Sequence, residues 1–421
     1  MAIIGKRRFL IYAVLILFAL LTYSHFCRFR VEADSVRKNT AKINETAFDR
    51  KLVSANTDFG FGLFSELNKK DTGKNIFLSP TSIGLCLSMA FNGAAAETST
   101  AMGATLRLHG MGVNELNDAY AQWRAALQKP HSTIDLEIAN SIWARNGVQF
   151  RSEFIDANKR FYGAEVATLN FSDPGSVSVI NSWVNNKTRG KIPRIVGDIS
   201  SDSMLFLVNA VYFKGKWTTA FDRAKTANGS FTMGSGVRQQ RPMMRQSGDY
   251  QYLENEKFQA IGLPYGEGDL SMYIFLPSKD SSLSTFQSNL TAGAWDTWMS
   301  DFALATGEIV LPRFKVEYEA TLNDALKAMG MAVAFDPQRA DFSAMLQTSL
   351  RPFISEVKHK AFAEVNEEGT EAAAATSTEV RAISAMIPTR KFRMVVDRPF
   401  FFAIRDNASG ALLFIGSVVN L

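Results

Sequence analysis

The sequence predicts one α+β domain, in which helices come first and the densest strand content comes last. Residues 55–421 contain no Pro/Gly/Ser-rich linker, no internal repeat and no low-complexity tract, so a single large domain accounts for them. Helical spacing of apolar residues is clearest near the start of this region, and strand-like runs are densest near its end. Helices that precede the strands, rather than alternating with them, favour an α+β fold over a doubly wound α/β fold.

Apolar spacing and capping residues predict three helices. The first ends before Gly73 and carries its apolar residues on one face: Phe59, Leu63 and Leu67. The second begins at Ser79 and Pro80, a cap and first-turn pair, and stops near Gly93. The third is expected from Thr321 to Met329, with Gly330 at its end.

Three patterns predict strands. Apolar and charged residues alternate over residues 313–319, which is typical of a strand with one buried face. Residues 204–213 are almost continuously apolar, which suits a strand covered on both faces. Near the C-terminus, residues 400–404 and 411–419 are expected to pair as a core hairpin across residues 406–410.

A buried polar cluster is predicted around His359. The odd positions from 357 to 365 are apolar except for this histidine, and the even positions are charged except for Phe362. His359 is therefore expected to face inward with the apolar set. Asn209 stands inside the apolar run 205–213, and both buried side chains need hydrogen-bond partners. This pattern favours a structural polar cluster over a metal or catalytic site.

Composition and motifs exclude several function classes. The net charge is +5, and no block of six like charges or basic stripe interleaved with aromatics is present, so nucleic-acid binding is not expected. The sequence has only four histidines and lacks the motifs G-x-S-x-G, H-E-x-x-H, C-x-x-C and G-x-x-x-x-G-K. We therefore expect no enzymatic activity, no metal site and no cofactor.

The N-terminal segment resembles an export signal. The basic residues 6–8 precede an uninterrupted apolar run over residues 9–21, which is shorter than the about 20 residues of a membrane span. Residues 1–33 are either a cleaved signal peptide or an uncleaved anchor formed by residues 9–27. Both alternatives export the rest of the chain, so a secreted or membrane-anchored extracellular protein is expected. Residues 34–54 are interpreted as a linker.

The stretch from Val365 to Ser384 has an unusual charge pattern. After Gly369 its charged residues are Glu371, Glu379 and Arg381, all at odd positions. The even positions from 370 to 380 are Thr, Ala, Ala, Thr, Thr and Val. As a strand this segment would present one small, uncharged face. The run Glu-Ala-Ala-Ala-Ala also suits a helix or a flexible loop, and the residues alone leave these alternatives open.

Four stretches resemble the serpin family and follow the family's order along the chain. Residues 364–374 (EVNEEGTEAAA) resemble its hinge, and residues 396–404 (VDRPFFFAI) resemble its C-terminal signature. Residues 75–83 (NIFLSPTSI) resemble the start of its central helix, and residues 209–217 (NAVYFKGKW) a central strand that ends at a Trp. The resemblance implies the serpin fold over residues 55–421. That fold has a large mixed sheet A, two smaller sheets, about eight to nine helices and an exposed reactive-centre loop, here about residues 367–391.

The resemblance implies an inhibitor of serine proteases that acts as a suicide substrate. The protease cleaves the loop and forms an acyl-enzyme, and the loop then inserts into sheet A as a new strand, so that deacylation stalls. The implied hinge comprises Glu367, Gly369, Thr370, Glu371, Ala372, Ala373, Ala374 and Ala375. Counting seventeen residues from Glu367 places the scissile bond between Ile383 and Ser384, with Arg381–Ala382 and Met386–Ile387 as alternatives.

Other family features can be carried over residue by residue. The shutter region maps to Ser79, Ser82, Asn209 and His359. The breach region maps to Trp217, with Glu367 near Arg313. The aliphatic Ile383 before the bond indicates elastase-like, proteinase-3-like or subtilisin-like targets. The implied protein is a monomer whose partner is a serine protease in a covalent acyl complex, and which meets a membrane only through its N-terminal segment. The alternative is a non-inhibitory serpin, a carrier or chaperone, but the small residues 372–375 favour loop insertion.

Overall fold

The computed structural model describes residues 50–127, 133–370 and 391–421. In these ranges the chain forms nine α-helices and fifteen β-strands. The helices are α1 (Arg50–Lys70), α2 (Pro80–Phe91), α3 (Ala96–Thr105), α4 (Val113–Leu127), α5 (Ser152–Ala157), α6 (Gly175–Lys187), α7 (Leu283–Ser288), α8 (Ala292–Asp301) and α9 (Asn323–Leu326). Short π-helical turns cover Asn158–Tyr162 and Lys327–Met331, and short 3-10 turns cover Arg223–Lys225, Ala332–Phe335 and Ser343–Met345.

The strands have the following bounds. They are β1 (Ile76–Leu78), β2 (Ile134–Arg145), β3 (Glu165–Leu169), β4 (Leu205–Lys216), β5 (Ala227–Thr232), β6 (Arg238–Glu254), β7 (Phe258–Tyr265), β8 (Leu270–Pro277), β9 (Ala303–Pro312), β10 (Phe314–Thr321), β11 (Ile354–Asn366), β12 (Gly369–Thr370), β13 (Lys391–Val395), β14 (Phe400–Asp406) and β15 (Leu412–Val418). All of these elements belong to one compact unit.

A six-stranded mixed sheet carries the residues predicted to be functional. Its order is β10-β11-β12-β4-β2-β3, and β11 also pairs directly with β4 in parallel. The direct pairing runs from Ile354 to Phe362 on β11, and it places His359 opposite Asn209. At the far end β11 and β4 separate, and the two residues of β12 pair with both in antiparallel orientation. This is the large mixed sheet that the sequence predicts.

The second sheet has nine strands in the order β1-β15-β14-β8-β7-β6-β9-β13, with β5 paired to β6. The long strand β6 has 17 residues and joins two parts of this sheet. Its first residues pair with β5, its last residues pair with β7, and β9 pairs along its middle. The two smaller sheets expected from the sequence are therefore continuous through β6. The predicted C-terminal hairpin is present as the antiparallel pair β14–β15.

Helix α2 lies in the interior between the two sheets. All twelve of its residues are buried, and it contacts β2 and β4 of the mixed sheet and β15 of the other. The predicted cap is present, because the Ser79 side chain accepts a hydrogen bond from the Ser82 amide and Pro80 occupies the first turn. This cap determines where the first turn of α2 meets the mixed sheet.

Two element boundaries differ from the sequence predictions. Helix α1 begins at Arg50, inside the segment 34–54 interpreted as a linker, because Leu52 is 2% exposed and extends the buried face of the helix. The helix predicted from Thr321 begins at Asn323 and is short. Strand β10 pairs with β11 as far as Thr321, opposite Lys358, so the pairing of the two strands delays the start of the helix.

Helix α6 and the segment that follows it pack on the mixed sheet. Their apolar side chains form a buried cluster with β2 and β4 that includes Ile180, Val184, Ile195, Phe206 and Val208. The cluster covers β4, next to the line along which β4 meets β11. Any strand that enters between β4 and β11 must therefore pass close to this segment.

Candidate functional site

Asn209 is the centre of a buried hydrogen-bond cluster that joins β4, β11 and α2. Its Nδ2 donates to Ser82 Oγ at 2.6 Å and to Asn140 Oδ1 at 2.5 Å. Its Oδ1 lies 2.6 Å from His359 Nδ1. Asn209, Ser82 and His359 are each 0% exposed. The cluster therefore connects the two strands whose separation would admit a new strand, and it connects both to the central helix. We call Asn209, Ser82, Asn140 and His359, together with Ser79, the shutter cluster.

The shutter cluster is uncharged. Because Asn209 Oδ1 can only accept, Nδ1 of His359 carries the hydrogen in this arrangement. Burial lowers the pKa of His359 to about 3, so its imidazole is neutral at ordinary pH. Ser79 contributes through its side chain, since its Oγ accepts a hydrogen bond from the backbone amide of Ser82 at 3.2 Å. Asn140 was missed in the sequence analysis, although an Asn within the apolar strand residues 138–142 is the same signal that identified Asn209.

Trp217 directly follows β4 and connects that strand to the end of β11. Its backbone amide donates to the Glu368 carbonyl at 2.9 Å, and its Nε1 donates to the Asn366 carbonyl at 2.9 Å. Its ring stacks on Tyr265 of β7, with centroids 4.5 Å apart and an interplanar angle of 12°. The predicted breach residue therefore holds the point where β4 and β11 diverge.

Glu367 forms the second contact at this point. Its Oε1 accepts from Arg313 Nε at 2.8 Å, Arg313 Nη2 at 2.6 Å and Thr226 Oγ1 at 2.6 Å. Burial by itself raises the pKa of the Glu367 carboxyl, but these hydrogen bonds outweigh burial and hold the pKa below its usual value. Glu368, the next residue, is ion-paired with Arg223. The structure thus brings together Glu367 and Arg313, as the sequence analysis expected, and adds Thr226.

The first hinge residues already lie in the mixed sheet. Gly369 pairs with Asn366 of β11 and Lys216 of β4, and Thr370 pairs with Val365 and Gly215. Glu367 is 2% exposed and Thr370 is 0% exposed, whereas the resemblance implies an exposed loop from about residue 367. The difference arises because β11 and β4 diverge at this end, which leaves a gap that the chain enters directly after its turn.

Gly369 is required by the backbone at this gap. Its φ is +147°, and a Cβ built on it would collide with the carbonyl oxygen of Gly215. The Thr370 hydroxyl lies 2.7 Å from the Tyr265 hydroxyl. We call Gly215, Tyr265, Gly369 and Thr370 the hinge seat. Tyr265 and Gly215 were not singled out from the sequence, because nothing local distinguishes a seat residue from an ordinary core tyrosine or strand glycine.

Several predicted residues lie outside the described residues. These are the remaining hinge residues Glu371, Ala372, Ala373, Ala374 and Ala375, and the predicted reactive bond, Ile383 and Ser384. The N-terminal segment 1–33 is also outside. Within residues 50–127, 133–370 and 391–421, no three His, Cys, Asp or Glu side chains are placed to hold a metal ion. No helix in the described part of the chain is long and apolar enough to cross a membrane.

Comparisons with known proteins show which family this chain is similar to in sequence and in structure. The family model described as serpin (serine protease inhibitor) matches residues 54–421. Human leukocyte elastase inhibitor is 35% identical over 87% of this chain and 98% of its own length, and human serpin B8 is 34% identical over 87% and 98%. The native structure of the thermophilic serpin tengpin matches with a TM-score of 0.82 and 32% identity, over 90% of this chain and 96% of tengpin.

Proposed function

Because the chain belongs to the serpin family of serine protease inhibitors, we propose that it traps a serine protease as a covalent acyl complex. The observation that carries this proposal is the position of Gly369 and Thr370, which pair with both β11 and β4 at the open end of the mixed sheet. A loop that starts in this gap can extend as a new antiparallel strand once the chain is cut. Protease inhibition is also the function that the family match supports.

Insertion requires one face of the loop to enter the interior. The Thr370 side chain already does so, because it is 0% exposed and meets Tyr265. By strand alternation the even positions 372, 374, 376, 378 and 380 would follow it inward, and all of them are uncharged. Glu371, Glu379 and Arg381 would face outward. No charge would need to be buried, which would otherwise cost several kcal/mol.

The chain contributes no catalytic group in this mechanism. The protease supplies the nucleophile and forms the acyl bond to the residue before the scissile bond. Insertion then carries the acylated protease to the opposite end of the sheet and distorts its oxyanion hole, so that deacylation stalls. The inhibitor is consumed with the protease, and it acts as a monomer without a cofactor.

We place the scissile bond between Ile383 and Ser384 and expect elastase-like proteases as targets, with subtilisin-like proteases as a second group. An aliphatic residue suits the primary pocket of both. The name of the relative leukocyte elastase inhibitor supports the first group. Replacing Ile383→Arg should redirect inhibition towards trypsin-like proteases, because those proteases bind a cation in the same pocket.

The decisive experiment is incubation of the purified protein with an elastase, a subtilisin and a trypsin-like protease. A complex that survives denaturing electrophoresis, together with a released peptide that begins at Ser384, is the expected result. A peptide that begins at Ala382 or Ile387 would move the bond to one of the two alternatives. Cleavage in the loop by every protease without any covalent complex would contradict inhibition and favour a carrier or chaperone.

Export through the N-terminal segment is part of the proposal. It is supported by the basic residues 6–8 and the apolar run 9–21. A mature chain that begins at Asp34 in the medium of expressing cells would identify a cleaved signal peptide. A full-length chain that stays with membranes after an alkaline wash would identify an anchor at residues 9–27. Full-length chain in the soluble cell fraction alone would contradict export.

A further inference from the structure

Tyr265 connects the two sheets directly at the hinge. It is the last residue of β7 in the nine-stranded sheet, and its side chain is 0% exposed. The ring lies between Trp217, stacked at 4.5 Å, and Phe213, edge-on at 5.2 Å. In this position the Tyr265 hydroxyl meets the Thr370 hydroxyl at 2.7 Å.

This hydroxyl pair satisfies two polar groups in an apolar place. Thr370 is 0% exposed and stands between β11 and β4. Without the Tyr265 hydroxyl, the Thr370 hydroxyl would lose this partner, and an unsatisfied buried hydroxyl disfavours the seated position. Burial also raises the pKa of Tyr265 above its usual value, so the phenol keeps its proton and can donate. The bond therefore favours the seated hinge over a hinge that has left the sheet.

Close packing in the hinge seat leaves no room for a side chain at position 369 or 215. Gly369 crosses Gly215 backbone against backbone, and a side chain at position 369 would not fit. A Cβ at Gly215 would come within 2.9 Å of the Tyr265 ring. Gly215 and Tyr265 thus shape a space that Gly369 and Thr370 fill in the uncut protein.

We propose that Tyr265 is a positioning residue for the inhibitory reaction: its hydroxyl holds Thr370 in the mixed sheet of the uncut protein, so that loop insertion extends a strand that has already begun. The inference rests on the proposed inhibitory function. It assigns to one side chain the balance between presenting the loop to the protease and inserting the loop after cleavage.

Loss of the seat should change these two steps in opposite directions. Two residues held in the sheet are not available to the segment that must reach the protease active site, so their release should speed the first attack. After cleavage an unseated hinge must find the gap before any further residue can pair. Insertion then starts later, deacylation gains time, and more inhibitor is consumed as ordinary substrate.

The test compares wild-type protein with Tyr265→Phe, which removes only the hydroxyl. Hydrogen–deuterium exchange of the peptide that contains Gly369 and Thr370, measured in uncut protein, should be about 2- to 10-fold faster in the variant, the change expected for one hydrogen bond. With an elastase, the association rate should rise and the number of inhibitor molecules consumed per trapped protease should also rise. A role in stability alone would not raise the association rate.

Partner variants make the test specific. Thr370→Val keeps the shape but loses the hydroxyl and should reproduce Tyr265→Phe, and the double variant should be no worse than either single variant because both remove one bond. Thr370→Ser keeps the hydroxyl and should retain wild-type exchange. Tyr120→Phe is the matched control, since it removes a buried hydroxyl that donates to Asn56 away from the hinge. It should leave exchange at residues 369–370 unchanged.

The outcomes separate this inference from the proposed function. Equal exchange in wild-type protein and Tyr265→Phe would overturn the positioning role, whatever the inhibition data show. If Tyr265→Phe fails to fold, Thr370→Val decides the same question. Faster exchange in both variants, with no covalent complex from any of the proteins, would support the seat and contradict the inhibitory function.

Discussion

Glu367 is the residue at which charge controls the position of the hinge. Its carboxylate is 2% exposed and accepts three hydrogen bonds from Arg313 and Thr226, while its backbone carbonyl accepts from the Phe221 amide. The pKa of the Glu367 carboxyl is lower in the folded protein than in the unfolded chain. A depressed carboxyl pKa stabilises the fold above the unfolded-state value of about 4.3, and the stabilisation is lost as the pH falls through the folded-state value.

Replacing Glu367→Gln should lower the free energy of unfolding by about 2 kcal/mol at pH 7, because charged hydrogen bonds are lost at a buried site. The difference from wild type should shrink below about pH 4, where the wild-type carboxyl is also neutral. Urea unfolding between pH 3 and pH 7, about the range in which the carboxyl titrates, measures both effects. Glu97→Gln, which breaks an exposed pair with Arg339, is the control and should change little. A constant difference across the pH range would contradict this account.

His359, in the shutter cluster, should make the stability of the fold depend on pH over a second range. Its folded-state pKa is about 3 because the ring is buried, whereas an unfolded histidine titrates near about 6.5. A depressed folded-state value means that the unfolded chain binds the proton first. Wild-type stability should therefore fall as the pH decreases from about 6.5 towards about 3.

Replacing His359→Ala should cost about 1–3 kcal/mol at neutral pH, because Asn209 Oδ1 loses its partner. It should also remove this part of the pH dependence. With β4 and β11 less firmly joined, warming should produce polymers by strand addition. Thermal unfolding between pH 4 and pH 7, about the window between the two pKa values, and native electrophoresis after warming test the prediction. Unchanged melting together with an absence of polymers would count against it.

At the scale of elements, the segment after α6 is attached to β11 through Lys360. Lys360 is 9% exposed. Its Nζ donates to the Arg194 carbonyl at 3.1 Å and to Glu319 at 2.8 Å. Glu317 lies 3.1 Å from the same nitrogen. A strand that enters between β4 and β11 must move this covering segment, so the attachment opposes insertion.

Replacing Lys360→Met keeps the apolar stem and releases the Arg194 carbonyl. Glu317 and Glu319 have side chains about half exposed and can stay hydrated, so stability should change by less than about 1 kcal/mol. Loss of inhibitory activity during incubation just below the melting temperature should be faster, because the loop inserts without cleavage more often. Lys358→Met is the matched control, since its Nζ bonds Thr321 and Glu356 and not the covering segment. Equal rates of loss in the two variants would refute the attachment.

At the scale of the whole molecule, the proposed trap requires that the uncut fold is less stable than the fold with the loop inserted. About a dozen new ladder hydrogen bonds, each worth roughly 0.5–1.5 kcal/mol, suggest a gain on the order of 10 kcal/mol before the cost of ordering the loop. Wild-type protein cut in its loop should therefore melt at a much higher temperature than uncut protein. Calorimetry of the two forms measures this, and an unchanged melting temperature would contradict a trap driven by insertion.

The same difference in stability predicts which substitution should prevent insertion of the loop. Thr370→Arg would place a cation at a position that is 0% exposed, beside Tyr265, so insertion should slow while the loop is still cut. The variant should behave as a substrate and form little covalent complex. Glu371→Arg is the matched control, because strand alternation after Thr370 would put position 371 on the outward face of an inserted loop, and it should still form the complex. Undiminished complex from Thr370→Arg would contradict strand insertion.

Local sequence patterns are enough to predict several buried residues, the start of a helix and the family of this protein. Alternation around His359 and the polar Asn209 in an apolar run identified two buried residues that the structure brings within 2.6 Å of each other. Ser79 and Pro80 identified the start of α2. The sequence motifs also identified the serpin family, which the family model confirms. These predictions succeeded for one reason. The alternation of buried and exposed residues in a strand and the capping of a helix each depend on only a few neighbouring residues, so a short stretch of sequence is enough to recognise them.

Only the tertiary structure decided what those residues meet. Thr370 pairs with Gly215 and bonds Tyr265, and Asn209 finds Asn140, although each partner lies far away along the chain. Alternation shows which face of a strand is buried, but register between distant strands is set by how whole sheets and helices pack. The hinge therefore had a predictable uncharged face from the sequence alone. Its seated position between β11 and β4 arises only from the divergence of those two strands and from a tyrosine supplied by the other sheet.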